Sequence, residues 1–97
     1  MSYELQFLPS ALKEWRKLGT PVRQQFKKKL AERLISPHVP ADRLHGLEHH
    51  YKIKLRSAGY RLVYEVHEAS VTVTVIAVGK RYKGTVYKTA QNRKGSQ

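Results

Sequence analysis

The chain has 97 residues, 19 Lys and Arg against seven Asp and Glu for a net charge of +12, no cysteine, and 40% hydrophobic residues. That length suits a single domain over residues 1–97, and an apolar share that includes six Tyr, two Phe and one Trp excludes a disordered basic tail. The lack of Cys excludes disulfide frameworks, Cys-based zinc sites and thiol nucleophiles, and no stretch approaches the roughly 18 apolar residues of a membrane span, so a soluble, cytoplasmic protein with no membrane partner is expected.

Tyr3 to Phe7 alternates apolar and polar residues and predicts a short strand closed by Pro9, which cannot donate to a ladder. Ala11, Leu12, Trp15 and Leu18 then recur at helical spacing over Ser10 to Leu18, with Gly19 as the terminating residue. Thr20-Pro21 is a helix start, Thr to cap free amides and Pro in the first turn. The second helix reaches about Ile35 on a stripe of Val22, Phe26, Leu30 and Leu34. Residues 37–50 hold two Pro, one Gly and four of the five His without a period and read as a connecting loop, with His49-His50 as a solvated pair.

From Tyr51 the period becomes two. Tyr51, Ile53 and Leu55 point one way, Lys52, Lys54 and Arg56 the other. Ser57-Ala58-Gly59 turns the chain, alternation resumes from Tyr60 to Val66, and the β-branched run Val71 to Val78 reads as a central strand that leaves the sheet at Gly79-Lys80-Arg81. Thr85 to about Gln91 is a candidate last helix, and the tail after about residue 91 lacks apolar residues and is the candidate for disorder. The expected fold class is α+β, in the order β-α-α-β-β-β(-α), a mostly antiparallel four-stranded sheet with two N-terminal helices on one face. The other face is then free to be polar, and Lys52, Lys54 and Arg61 would occupy it. Trp15, Phe26, Tyr60 and Tyr64 are read as packing.

Burial fixes a register. If Ile53 and Leu55 share the core with Leu62 and Tyr64, paired positions must sum to an odd number, 115 or 117. A three-residue loop with Arg56 opposite Tyr60 would bury Arg61 instead, so a bulge or a two- or four-residue connection is expected, and a Lys54–Leu62 pair would refute it.

The charge is unevenly placed. No carboxylate occurs from Ala69 to Gln97, where Lys80, Arg81, Lys83, Lys88, Arg93 and Lys94 supply six cations, and none occurs from Tyr51 to Arg61, where Lys52, Lys54, Arg56 and Arg61 supply four. Lys13 to Arg33 holds eight cations and reads mostly as a solvated helix face. Such surfaces attract polyanions, nucleic acid first. For cleaving a phosphodiester, Mg²⁺ would require clustered carboxylates, the His spacing matches no zinc motif, and what is left is a group of fixed cations with a nearby Tyr87. RNA supplies its own nucleophile in the 2′-hydroxyl, so this chemistry requires no cofactor, only alignment, charge stabilisation and proton transfer.

Ala11–Leu18, then Tyr51–Tyr64 (Tyr-Lys-Ile-Lys-Leu-Arg-Ser-Ala-Gly-Tyr-Arg-Leu-Val-Tyr), then Val78-Gly79-Lys80-Arg81 with Tyr87, resemble the RelE branch of the RelE/ParE toxin superfamily over most of the chain, to about Ala90. The resemblance implies a toxin of a type II toxin–antitoxin system, a ribosome-dependent endoribonuclease that cuts mRNA in the ribosomal A site and leaves a 2′,3′-cyclic phosphate and a 5′-hydroxyl. It implies a RelB-like antitoxin, whose complex with the toxin binds its operator DNA, and contact with 30S ribosomal RNA. Carried over by position, Lys52 and Lys54 would stabilise the transition state and promote nucleophile activation, and Arg61 would hold the scissile phosphate. Arg81 would serve the leaving oxygen, and Tyr87 would be base or stacking group, with the proton going to Tyr87 or Lys54. Arg43, His45, Arg56, Lys80 and Lys83 would add RNA contacts, and Lys13, Arg16, Lys17, Arg23, Lys27 and Lys28 ribosome contacts. Two positions depart from the pattern: His45 stands where close relatives tend to carry a cation, making RNA contact pH-sensitive, and Tyr82-Lys83-Gly84 replaces a more polar, helix-favouring stretch.

Without the resemblance, Lys52 and Lys54 read as solvent-facing or edge-protecting lysines, Arg61 and Arg81 as ordinary ion-pair or phosphate contacts, and Tyr87 as a core aromatic. Two other functions fit the charge: a ParE-like toxin acting on gyrase, and a non-catalytic RNA- or ribosome-binding module. A gyrase poison has no use for a phosphate-cleaving cluster.

Overall fold

The N-terminal alternation forms β1 (Glu4–Phe7), followed by α1 (Pro9–Arg16), α2 (Thr20–Ile35), a single 3-10 turn at Pro40–Asp42, then β2 (His50–Leu55), β3 (Tyr60–His67), β4 (Thr72–Lys80) and α3 (Thr85–Arg93). The computed structural model describes residues 2–82 and 84–93; the tail from 94 lies outside the described residues. The four strands make one sheet in the order β1-β4-β3-β2, parallel between β1 and β4 and antiparallel elsewhere. The α+β architecture expected from the sequence is therefore the one observed. Among the described residues no helix is long and apolar enough to cross a membrane.

The register follows the burial requirement: Lys54 pairs with Arg61, Ile53 with Leu62 and Leu55 with Tyr60, leaving a four-residue connection, 56–59. Gly59 closes it, its amide donating to Leu55 O at 2.8 Å with φ at +72°. A bulge does occur, between β3 and β4, where pairing steps from Val63–Ala77 to Tyr64–Val75 and leaves Ile76 as the extra residue.

One face of the sheet receives α1 and α2. Trp15 lies between Phe7 and Phe26, with ring centroids at 5.2 and 6.2 Å, and Phe26 and Leu30 of the α2 stripe are buried. Arg33 departs from the solvated reading of its helix: its side chain is 12% exposed, pairs with Asp42 at 2.5 Å, and donates to Tyr64 Oη at 2.9 Å and Lys52 O at 3.3 Å. Tyr64 Oη in turn donates to Pro37 O at 2.7 Å, so one guanidinium and one phenol fasten α2, the 37–42 segment and the sheet together. Burial pushes the Tyr64 phenol above its ordinary range, and the hydrogen bond from Arg33 opposes that shift.

The second face is not uncovered as the sequence suggested. α3 packs across β4 and β3, burying Val86 and Ala90. Gly79 makes room for it, since a Cβ there would come within 3.3 Å of Val86 Cγ2. A short helix with two inward apolar residues carries too weak a periodicity to announce a packed layer. The far end of α3 is pinned by Arg93, which pairs with both oxygens of Glu14 at 3.0 and 2.9 Å and donates to Ile76 O at 2.7 Å, while Glu14 Oε1 accepts from Val78 N at 3.0 Å. These side chains satisfy β4 backbone groups past Val75, where the β1 ladder ends.

Three local expectations also change. Gly19, not Thr20, precedes α2 as its cap, and no side chain caps that helix; Gly19 has a negative φ of −65°, so it does not end α1 in a left-handed turn. β4 stays in the sheet through Gly79 and Lys80, which pair with Arg61 and Tyr60. His50 is not a solvated loop residue but the first residue of β2, 1% exposed, its Nδ1 at 2.7 Å from Glu48 O.

Candidate active site

Lys52 and Lys54 alternate outward from β2, and register places Lys54 beside Arg61 of β3 on the face that α3 partly covers. Arg61 is 7% exposed, with Nη1 held by Tyr60 O at 2.9 Å, so its guanidinium is positioned by the strand itself. Arg81 follows the end of β4. Its amide donates to Gly59 O at 2.6 Å, which ties the chain after β4 to the β2–β3 turn. Tyr87 sits in the first half of α3, half-buried, with Lys52 Nζ at 5.8 Å from its ring centroid. Its Oη is buried and has no hydrogen-bond partner among the described residues. A buried phenol without a partner is costly unless a ligand supplies one.

Between these elements lies a small cleft of about 40 Å³ lined by Arg61, Lys80, Arg81, Tyr82, Tyr87 and residues 84–86. Tyr82 was not singled out in the sequence as a site residue. The signal was an aromatic inside an acid-free basic stretch.

Crowding of cations acts on one group in particular. Lys54 binds its proton less firmly than a free lysine because of Lys52 first, then burial, then Arg56 and Arg61, with Asp42 acting in the opposite sense. A lysine whose ammonium form is disfavoured reaches its neutral, proton-accepting form at lower pH. The ensemble can therefore do three things at once: hold an anion, stabilise added negative charge, and accept a proton.

The other sequence-selected residues are more dispersed. Arg56 is exposed in the β2–β3 connection beside the cluster. Arg43 pairs with Tyr51 through an isolated bridge, and Arg43 and His45 are exposed on a loop whose Gly46 lies against Gln91 of α3. Lys83 lies outside the described residues. Lys13, Arg16, Lys17, Lys27 and Lys28 are exposed on and after the N-terminal helices, remote in sequence from the cluster, whereas Arg23 turns back to donate to Leu18 O at 2.7 Å.

The model of the ParE toxin of type II toxin–antitoxin systems (parDE) matches residues 5–83. The mRNA interferase toxin RelE of Escherichia coli K12 is 57% identical over 93 residues, spanning 96% of this chain and 98% of that protein. The chain belongs to the RelE/ParE toxin family. The mRNA interferase RelE of Shigella flexneri gives the same identity and coverage. An arginine-to-alanine mutant of E. coli RelE, solved in the free state, superposes with a TM-score of 0.88 at 56% identity, covering 96% of this chain and 98% of that one. The toxin chain of the intact E. coli RelBE toxin–antitoxin complex gives a TM-score of 0.82 at 57% identity, covering 84% and 100%.

Proposed function

We propose that this RelE-family chain is the toxin of a type II toxin–antitoxin system and an mRNA interferase: a ribosome-dependent endoribonuclease that cuts codons in the ribosomal A site and is held inactive by a RelB-like antitoxin. The observation that carries the reading is one cleft lined by Arg61, Arg81 and Tyr87, whose buried Oη has no partner among the described residues, with Lys54 paired beside Arg61 and Lys52 Nζ 5.8 Å from the Tyr87 ring, in segments that contain no carboxylate.

In this reading Arg61 grips the scissile phosphate and Lys52 stabilises the charge that develops on it. The 2′-oxygen attacks phosphorus and loses its proton, the bond to the 5′-oxygen breaks, and that oxygen leaves and takes up a proton from water. The products are a 2′,3′-cyclic phosphate and a 5′-hydroxyl. The proton acceptor is Lys54, whose neighbours favour its neutral form, or the Tyr87 phenolate; Arg81 stabilises the leaving oxygen. The RNA supplies the nucleophile, so the residues present account for the reaction without metal or cofactor. The exposed cations of α1 and α2 would grip 30S ribosomal RNA, the antitoxin complex would bind operator DNA, and the site of action is the cytoplasm.

Primer-extension mapping in a translation extract tests the reading. Cuts within codons at the A site are expected, abolished by Arg81→Ala while ribosome binding persists. Intact messages alongside inhibited DNA supercoiling would refute it in favour of a gyrase-directed toxin, and ribosome binding with neither effect would refute it in favour of a non-catalytic module.

A further inference from the structure

Large apolar side chains exposed among the described residues are Leu5, Ile35 and Tyr82, and Tyr82, at 65% exposure, is the one that borders the cationic cleft. The cleft volume of about 40 Å³ has room for the oxygens of a phosphate or a few waters, not for a nucleobase. A base attached to a phosphate held there must lie across the rim. Two aromatic rings are within reach of that rim. Tyr87 is half-buried and has Lys52 Nζ over its ring, whereas Tyr82 is mostly exposed. Its backbone is nonetheless fixed: Tyr82 O accepts from Thr85 N at 2.9 Å and from Thr85 Oγ1 at 2.5 Å, and the preceding Arg81 amide is tied to Gly59 O. An exposed aromatic residue whose backbone is anchored beside a guanidinium-lined cleft is an arrangement on which single-stranded nucleic acid stacks.

We propose that Tyr82 is a stacking platform for the nucleobase flanking the phosphate in the Arg61–Arg81 cleft, a subsite that biases which codons are cut. The proposal rests on the reading of this cleft as an RNA-cleaving site. Stacking is sequence-tolerant but favours the larger ring systems, so the bias should run toward a purine at the stacked position.

The test has two arms. In the first, a fluorescein-labelled single-stranded hexanucleotide with 2′-deoxy sugars, which cannot be cut, is titrated into the free toxin and read by anisotropy. Tyr82→Ala is expected to weaken binding roughly five- to 100-fold, Tyr82→Phe to retain it, and the salt slope to stay the same because no phosphate contact is lost. A circular-dichroism melt on each variant separates lost stacking from lost fold. In the second, programmed ribosomes carry A-site codons varied one position at a time. Wild-type cutting should favour purines at one position, and Tyr82→Ala should flatten that preference and raise the concentration for half-maximal cutting more than it lowers the maximal rate.

Unchanged oligonucleotide affinity and an unchanged codon profile in a folded Tyr82→Ala would overturn the proposal. So would unchanged oligonucleotide affinity with a loosened antitoxin complex, which would assign the ring to a protein contact. Tyr82-dependent oligonucleotide binding by a wild-type toxin that cuts nothing would instead overturn the enzymatic reading and leave the stacking subsite standing.

Discussion

Gly59 offers the sharpest quantitative test, because its geometry isolates a single energy. It closes the β2–β3 connection at φ +72°, and a Cβ added there meets nothing within 4 Å, so substitution incurs backbone strain without a collision. Left-handed backbone costs an ordinary L-residue about 1–2 kcal/mol, while Asn tolerates it through local hydrogen bonding. Each 1 kcal/mol moves the midpoint of a domain of this size by roughly 4–8 °C. Gly59→Ala should therefore lower the thermal midpoint by about 4–16 °C, and Gly59→Asn should recover most of that loss. The same rule with opposite sign applies to Val71, a β-branched residue at φ +51°, where Val71→Asn should gain up to about 1 kcal/mol. Melts are followed by circular dichroism at 222 nm in an Arg81→Ala background, which on the proposed role of Arg81 should remove toxicity during expression. Equal losses for Ala and Asn at position 59, or a loss beyond about 3 kcal/mol for Ala, would show that something other than backbone handedness is at stake. Because Gly59 O holds the Arg81 amide, cleavage by Gly59→Ala in the unmodified background should fall further than its stability alone explains.

Four more outcomes follow from other parts of the molecule. Lys54 is held below the ordinary lysine range chiefly by Lys52, so Lys52→Met should move the rising limb of the cleavage pH profile to higher pH even as the maximal rate drops; a limb that stays put would refute Lys54 as the proton acceptor. The same depressed affinity means that the folded state gains stability as pH rises through the lowered Lys54 value toward that of the unfolded lysine, so Lys54→Met should melt higher than wild type at neutral pH, checked by calorimetry. Arg33→Met removes the bonds to Asp42, Tyr64 and Lys52 O and should cost about 2 kcal/mol in urea unfolding, a value near zero refuting a structural role for that guanidinium. If about six phosphates are contacted, log affinity for RNA should fall with log salt at a slope near −4, and a flat dependence would sink the electrostatic account of binding.

The sheet was legible because it is governed by local rules. A period of two over Tyr51–Leu55 and Tyr60–Val66, combined with the demand that Ile53 and Leu62 share a core, leaves only odd register sums, and the observed Lys54–Arg61 pair is one of them. The long irregular stretch, 37–50, hid a buried histidine because His50 gains its burial from β3 across the sheet rather than from its sequence neighbours. Charges misled for a similar reason. Arg33 looks like a member of a solvated helix face, yet it turns to Asp42 beyond the end of its helix, and Arg93 pairs with Glu14 79 residues away. No local window of sequence contains both Glu14 and Arg93. The candidate site was legible where strand alternation places it, at Lys52, Lys54 and Arg61, and less so at Tyr82, whose position depends on how the chain leaves β4 and enters α3.

The Glu14–Arg93 clasp has a further consequence. The carboxylate and the guanidinium occupy the place of a neighbouring strand, the one meeting the amide of Val78 and the other the carbonyl of Ile76. Release of the end of α3 would therefore do two things in one event: loosen the helix that carries Tyr87, and unmask a short length of sheet margin able to recruit another extended chain. On the proposed role of Tyr87, loss of cleavage and exposure of that margin are thus mechanically one act.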